Sequence, residues 1–136
     1  MSKPIPAIRK YMTTSPHSIG PDQTLALAHQ LMRKHAIRHL PVLSGGKLVG
    51  ILTLRDLHLV ETLRDVDPEK VIVEEAMTTD VYVVSPEAPL DEVADEMAER
   101  KYGCAVIVQN EHVVGVFTTV DACMALSELL RGRLHK

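Results

Sequence analysis

The residues best placed to do chemistry come in two matching sets. Gly50-Ile51-Leu52-Thr53-Leu54-Arg55-Asp56 recurs as Gly115-Val116-Phe117-Thr118-Thr119-Val120-Asp121, 65 residues further on. In each copy an apolar run ends at a threonine, and an aspartate follows three positions later. At the start of a helix that spacing makes the two side chains neighbours. Two chemistries suit it. In the first, the threonine is an N-cap and the aspartate reaches back to the cap's own amide, forming a capping box. In the second, the free amides and positive dipole end of the helix take a phosphate, with the threonine hydroxyl as one more donor. The carboxylate would repel that phosphate but could accept hydrogen bonds from a vicinal diol, as a carboxylate does for ribose in dinucleotide folds. The spacing alone leaves both open and favours the cap.

The elements that position these residues follow from the repeat. Without gaps, the 65-residue offset also superposes Met12-Thr13-Thr14 on Met77-Thr78-Thr79, Pro21 on Pro86, Leu25 on Leu90, Met32 on Met97 and Val49-Gly50 on Val114-Gly115. So long a register means two copies of one structural unit. Each copy reads as strand, helix, strand, strand, helix. Ser15 to Gly20 and Asp80 to Ser85 suit brief extended pieces ahead of a proline. Leu25, Ala28, Leu31 and Met32 keep a helical spacing from Thr24 to His35, and Leu90, Val93, Ala94 and Met97 repeat it. Ile37 to Leu43 and Leu48 to Leu52 read as a hairpin across Ser44-Gly45-Gly46-Lys47. The second hairpin, Cys104 to Val108 and Val113 to Phe117, turns at Gln109-Asn110-Glu111. Lacking glycine, that turn is expected to be longer or differently shaped. Helices follow Thr53 and Thr118, and a charged linker from Arg64 separates the copies. The tail from Arg131 to Lys136 complements the dipole of the last helix.

Composition excludes several function classes. The 136 residues are 46% hydrophobic and 24% charged, which is globular. Aromatics are only 3% and tryptophan is absent, so the core must be aliphatic and base stacking is disfavoured. A net charge of −3 offers no electrostatic footprint for nucleic acid. No apolar leader or spanning run is seen, so no membrane partner and a cytoplasmic location are expected. Cys104 and Cys123 lack metal-ligand or redox spacing and are expected to be buried, reduced thiols. His35 and His39 sit four apart, but Ala36-Ile37 between them marks a change from helix to strand, so no zinc face is expected. No nucleophile, phosphate-loop or metalloprotease motif is present. The expectation is therefore no catalytic residue, no metal and no enzyme.

Taken together, the residues resemble the cystathionine β-synthase (CBS) domain, which occurs as tandem pairs. The resemblance rests on Met-Thr-Thr opening each copy, on Ser18-Ile19-Gly20-Pro21-Asp22 and Val84-Ser85-Pro86-Glu87 before the first helix, on Ile37 to Val42, and on Gly-x-x-Thr-x-x-Asp. It implies an α/β (α+β) fold of two units, residues 8–63 and 73–130, joined by a linker at 64–72 and flanked by tails at 1–7 and 131–136. Each unit would be a small three-stranded sheet with two helices, and the two would pack about a pseudo-twofold axis with a cleft on each side. It also implies a regulatory module that needs no cofactor but binds an adenosine-containing ligand: AMP, ADP, ATP or S-adenosylmethionine. By position, Asp56 and Asp121 would hold ribose hydroxyls and Thr53 and Thr118 would face phosphates. Pro16, His17 and Ile19, and Val81, Tyr82 and Val84, would sandwich the adenine. Arg38 and His39 would reach phosphates, Arg38 with a fixed fork of donors, or else be solvated strand residues. Their counterparts Gly103 and Cys104 could not, so binding should be lopsided. Helices from Leu54 and Val120 onward would make a homodimer, and an unidentified protein would receive the signal in trans. The alternative functions are a ligand-free interaction module and, third, a metal or redox sensor using Cys104, Cys123 and the histidines.

Overall fold

The structure, a computed structural model, describes residues 4–63 and 65–134. Arg64, where the expected linker begins, and His135-Lys136 of the basic tail lie outside the described residues, as do residues 1–3 of the N-terminal tail. The fold class is the expected mixed α/β, with two sheets.

The chain forms two compact units, each with its own apolar core. One is Pro16–Val81; the other joins the chain up to Ser15 with the chain from Tyr82 onward. The folded units are thus offset from the sequence repeats. The segment opening the first repeat belongs to the unit built on the second, and residues 73–81, which open the second repeat, belong to the unit built on the first.

In the Pro16–Val81 unit, helix α1 (Leu25–His35) begins where the Thr24 hydroxyl accepts the Leu27 amide at 3.2 Å. It ends at Ala36, left-handed at φ 53°, with Arg33, Lys34 and His35 in its last turn complementing the dipole. Leu25, Ala28 and Met32 fall on one face. That face is buried against Leu40, Val42 and Leu52 of the antiparallel hairpin β2 (His39–Ser44) and β3 (Lys47–Thr53). Helix α2 (Leu54–Glu61) follows β3 with no intervening loop and adds Leu57 to the core. His29 of α1 pairs with the Glu61 carboxylate at the end of α2. A short helix, α3 (Val73–Ala76), buries Val73 in the same core.

The second unit repeats this plan. Helix α4 (Leu90–Arg100) buries Leu90, Val93 and Met97 against Ala105, Ile107 and Phe117, which lie on β5 (Cys104–Gln109) and β6 (His112–Thr118). Helix α5 (Thr119–Leu134) follows β6 directly. Both hairpins shift register at the same place, between Val42 and Leu43 and between Ile107 and Val108.

Two details differ from the sequence-based expectation. The second hairpin turn is no longer than the first: Gln109 pairs with His112 just as Ser44 pairs with Lys47. Asn110 and Glu111 take the left-handed conformation at φ 52° and 66°, as Gly45 and Gly46 do at 59° and 82°. Both are two-residue loops with positive φ at the two central positions, the type that matches the strand twist. Neither unit has the expected three-stranded sheet: the second unit has four strands, and the first has a two-stranded hairpin flanked by single bridges. Strand β1 (Thr13–Thr14) pairs antiparallel with β6, and β4 (Val83–Val84) pairs parallel with β5, in the order β1-β6-β5-β4. Around the first hairpin, the single bridges Ile51 to Thr78 and Ile19 to Val42 occupy the equivalent places. The Met-Thr-Thr segments fit there because the strands carry Gly50 and Gly115. A Cβ on Gly115 would lie 2.7 Å from the Met12 sulfur and 2.9 Å from the Thr13 carbonyl, and Gly50 meets Met77 and Thr78 at the same two distances.

Candidate functional site

Each Thr-x-x-Asp sits where a strand runs straight into a helix. At the first, the Thr53 hydroxyl accepts the Asp56 amide at 3.0 Å and the Asp56 Oδ2 accepts the Thr53 amide at 3.0 Å, a complete capping box. At the second, Asp121 Oδ2 accepts from the Thr118 amide at 2.9 Å and from the Thr118 hydroxyl at 3.2 Å, and the Asp121 amide meets the Thr118 hydroxyl at 3.4 Å. The capping reading is therefore realised in both copies. It leaves all four side chains only partly buried.

The strand beside each helix start brings in the neighbouring residues. His39 is opposite Thr53 in the ladder, and the Arg38 carbonyl accepts the Leu54 amide at 2.9 Å. Arg38 is exposed and His39 half-buried. Burial lowers the His39 pKa, the Arg38 guanidinium lowers it further, and the Asp56 carboxylate opposes both. Arg38, His39, Thr53 and Asp56 thus share one corner, where the Thr53 amide donates to the Asp56 carboxylate and the exposed Arg38 adds a permanent positive charge. The second corner has the same backbone: Cys104 is opposite Thr118, and Thr119 donates to the Gly103 carbonyl at 3.3 Å. In place of the basic pair it has Thr13, whose hydroxyl donates to Asp121 Oδ1 at 3.0 Å. Beside Asp121 lies an open cavity of about 530 Å³, lined also by Lys10, Tyr11, Met124 and Arg131.

The CBS domain model matches residues 8–60 and again 73–128. The chain belongs to the CBS domain family. Over 115 residues it is 30% identical to the CBS domain-containing protein YhcV of Bacillus subtilis, covering 85% of this chain and 81% of that one. It is also 30% identical to the inosine-5'-monophosphate dehydrogenase of Korarchaeum cryptofilum over 89% of this chain, yet spans only 24% of that enzyme's length. Among solved structures, it resembles the CBS domain pair of protein MJ0100 in complex with 5'-methylthioadenosine and S-adenosyl-L-methionine. The TM-score is 0.84 at 28% identity, covering 92% of this chain and 98% of that one.

The remaining residues expected to act in the CBS repeats are dispersed along the leading strands. Pro16, His17, Ile19 and Val81 fall in the unit with Thr53 and Asp56, whereas Tyr82 and Val84 fall in the unit with Thr118 and Asp121. The Ile19 side chain is core, and its backbone joins the sheet through Pro41 and Leu43. The exposed His17 ring stacks on His35 with centroids 3.6 Å apart. Desolvation, then His17, then Lys34 lower the His35 pKa. Tyr82, the repeat counterpart of His17, stacks likewise on Tyr102 at 5.2 Å, and Val84 packs on the second core. Burial, followed by Glu96, Glu92 and Tyr102, raises the Tyr82 pKa.

Of the two thiols, Cys104 is buried as expected, and desolvation pushes its pKa up to about 12, so it is a protonated packing group. Cys123 corrects the expectation: it is exposed, because α5 turns Ala125 rather than Cys123 toward the core. Among the described residues, no group of three or more His, Cys, Asp or Glu side chains could hold a metal ion. None of the described helices is long and apolar enough to cross a membrane. Sequence reasoning passed over Thr13, Lys10 and Tyr11. Thr13 stood out only as part of the repeated Met-Thr-Thr, and its approach to Asp121 across 108 positions leaves no local trace.

Proposed function

We propose that this chain is a regulatory CBS module. It binds an adenosine-containing ligand at one or both Thr-x-x-Asp corners and passes the change to a protein partner in trans. The observation that carries the reading is the first corner, where half-buried His39 stands opposite Thr53 in the ladder, exposed Arg38 adjoins it and the Asp56 carboxylate sits in the first turn of α2. The carboxylate suits the ribose diol, and the helix start with Arg38 suits a phosphate or carboxylate group. The complex of the MJ0100 pair with S-adenosylmethionine and methylthioadenosine supports this ligand class. Asp56, Thr53, Arg38 and His39 would serve the first corner, with adenine beside Pro16, His17 and Ile19. Asp121 and Thr118, with Val81, Tyr82 and Val84, would serve the second. AMP, ADP, ATP and S-adenosylmethionine are the candidates. The module acts as a cytoplasmic homodimer and carries out no reaction itself.

The calorimetric test uses the whole chain with each of the four ligands. The sensor reading expects one of them to bind and Arg38→Ala with Asp56→Ala to abolish heat at the first corner, with the circular dichroism spectrum retained. Heats absent for all four ligands would refute it. A second reading, an interaction module without a ligand, draws on a separate observation. The capping boxes already use Thr53, Asp56, Thr118 and Asp121, while α2 exposes Leu59, the chain just after it Leu63, and α5 Val120, Met124 and Leu126. That reading predicts a partner held equally well by the Asp56→Ala protein.

A further inference from the structure

We infer that the two corners are unequal because Thr13 holds the carboxylate that a ligand at the second corner would need; this rests on the nucleotide reading above. At the first corner, Asp56 Oδ2 accepts the Thr53 amide at 3.0 Å. Among the described residues, no side-chain hydrogen bond reaches its Oδ1. Thr78, the repeat counterpart of Thr13 and exposed as Thr13 is, makes no side-chain hydrogen bond to Asp56. That oxygen is open to a diol hydroxyl. At the second corner, Oδ2 carries two donors from Thr118, and Oδ1 carries the Thr13 hydroxyl at 3.0 Å. A ribose hydroxyl arriving from the adjoining cavity of about 530 Å³ must share or displace that donor.

Thr13 is held in place by more than this bond. Strand β1 pairs Thr13 with Val116 and Thr14 with Gly115, and the Met12 sulfur seats where Gly115 has no side chain. Ser15, two residues on, turns the chain away from β1 in the left-handed conformation at φ 49°. Thr13 is therefore a positioning residue. It fixes Asp121 and weakens the second corner relative to the first, over and above the lack of a basic pair at Gly103 and Cys104.

The test is calorimetry on the full chain with AMP and with S-adenosylmethionine, in an Asp56→Ala background that leaves only the second corner. Thr13→Val keeps the shape and removes the hydroxyl; Thr13→Ser keeps the hydroxyl. The expected result is that D56A/T13V binds about 2- to 10-fold more tightly than D56A, the effect of one hydrogen bond. D56A/T13S should bind as D56A does. Equal or weaker binding by D56A/T13V overturns the inference, as does D56A/T13S matching D56A/T13V, because then shape rather than the hydroxyl matters. The nucleotide reading survives either result so long as the wild-type protein binds. If neither the wild type nor any variant binds either ligand, the nucleotide reading and this inference fall together.

Discussion

The carboxylates of Asp56 and Asp121 close their helix starts whether or not a ligand is present, so the effects of changing them must be separated from loss of the cap. Thr53 reports the cap's own share of stability. Thr53→Ala removes the hydroxyl that accepts the Asp56 amide and should lower stability by about 1 kcal/mol, measured by urea denaturation. His39 gives a pH signature. Burial and Arg38 hold its folded-state pKa below the ordinary value near 6.5. As pH falls, the unfolded chain takes up the proton first, so the stability present at neutral pH declines as pH drops through about 6.5. The urea midpoint should fall between pH 7 and pH 5, and less steeply in His39→Gln; an identical slope in the variant would remove His39 from the account. At this scale the sequence was informative about Thr53, Asp56, Thr118 and Asp121, because identical residues at identical spacing occur twice. It was silent on Thr13, whose role depends on a partner in another element, and misleading on Cys123, because residue type alone does not fix which way a helical side chain points.

The helices and hairpins could be read because their apolar residues recur at helical or alternating spacing over ten or so positions. The two-residue strands β1 and β4, and the one-turn α3, have no such period. Their partners are distant in sequence, so only the unexplained glycines at 50 and 115, inside apolar strands, hinted at a close approach. The turn at Asn110-Glu111 forms without glycine. The requirement is positive φ, which asparagine accepts readily and glutamate accepts under strain. Glu111→Gly should therefore stabilise the protein by about 0.5 to 1 kcal/mol, the relief of left-handed strain less the entropy glycine adds to the unfolded chain. A urea midpoint unchanged or lowered in Glu111→Gly would contradict that assignment of strain.

Across the molecule, the two cores are closed by α1 and α4, while α5 keeps a row of large apolar side chains in solvent. Val120 is 65% exposed and Met124 66%. Several large apolar side chains exposed on one helix suit an interaction surface, and a twofold dimer is the commonest way to cover one. Val120→Glu combined with Met124→Glu should shift the sedimentation equilibrium mass from dimer to monomer without lowering helix content; a monomeric wild type would contradict the dimer. The central claim, ligand sensing, is tested most directly by thermal melting of the whole chain with AMP, ADP, ATP and S-adenosylmethionine, each at about millimolar concentration. A ligand at a hundredfold excess over its Kd adds roughly 2.7 kcal/mol to the folded state, a rise of several degrees. The account predicts such a rise with at least one of the four, lost when Asp56 and Asp121 are both changed to Ala. Melting unmoved by all four, or moved equally in the double variant, would contradict it.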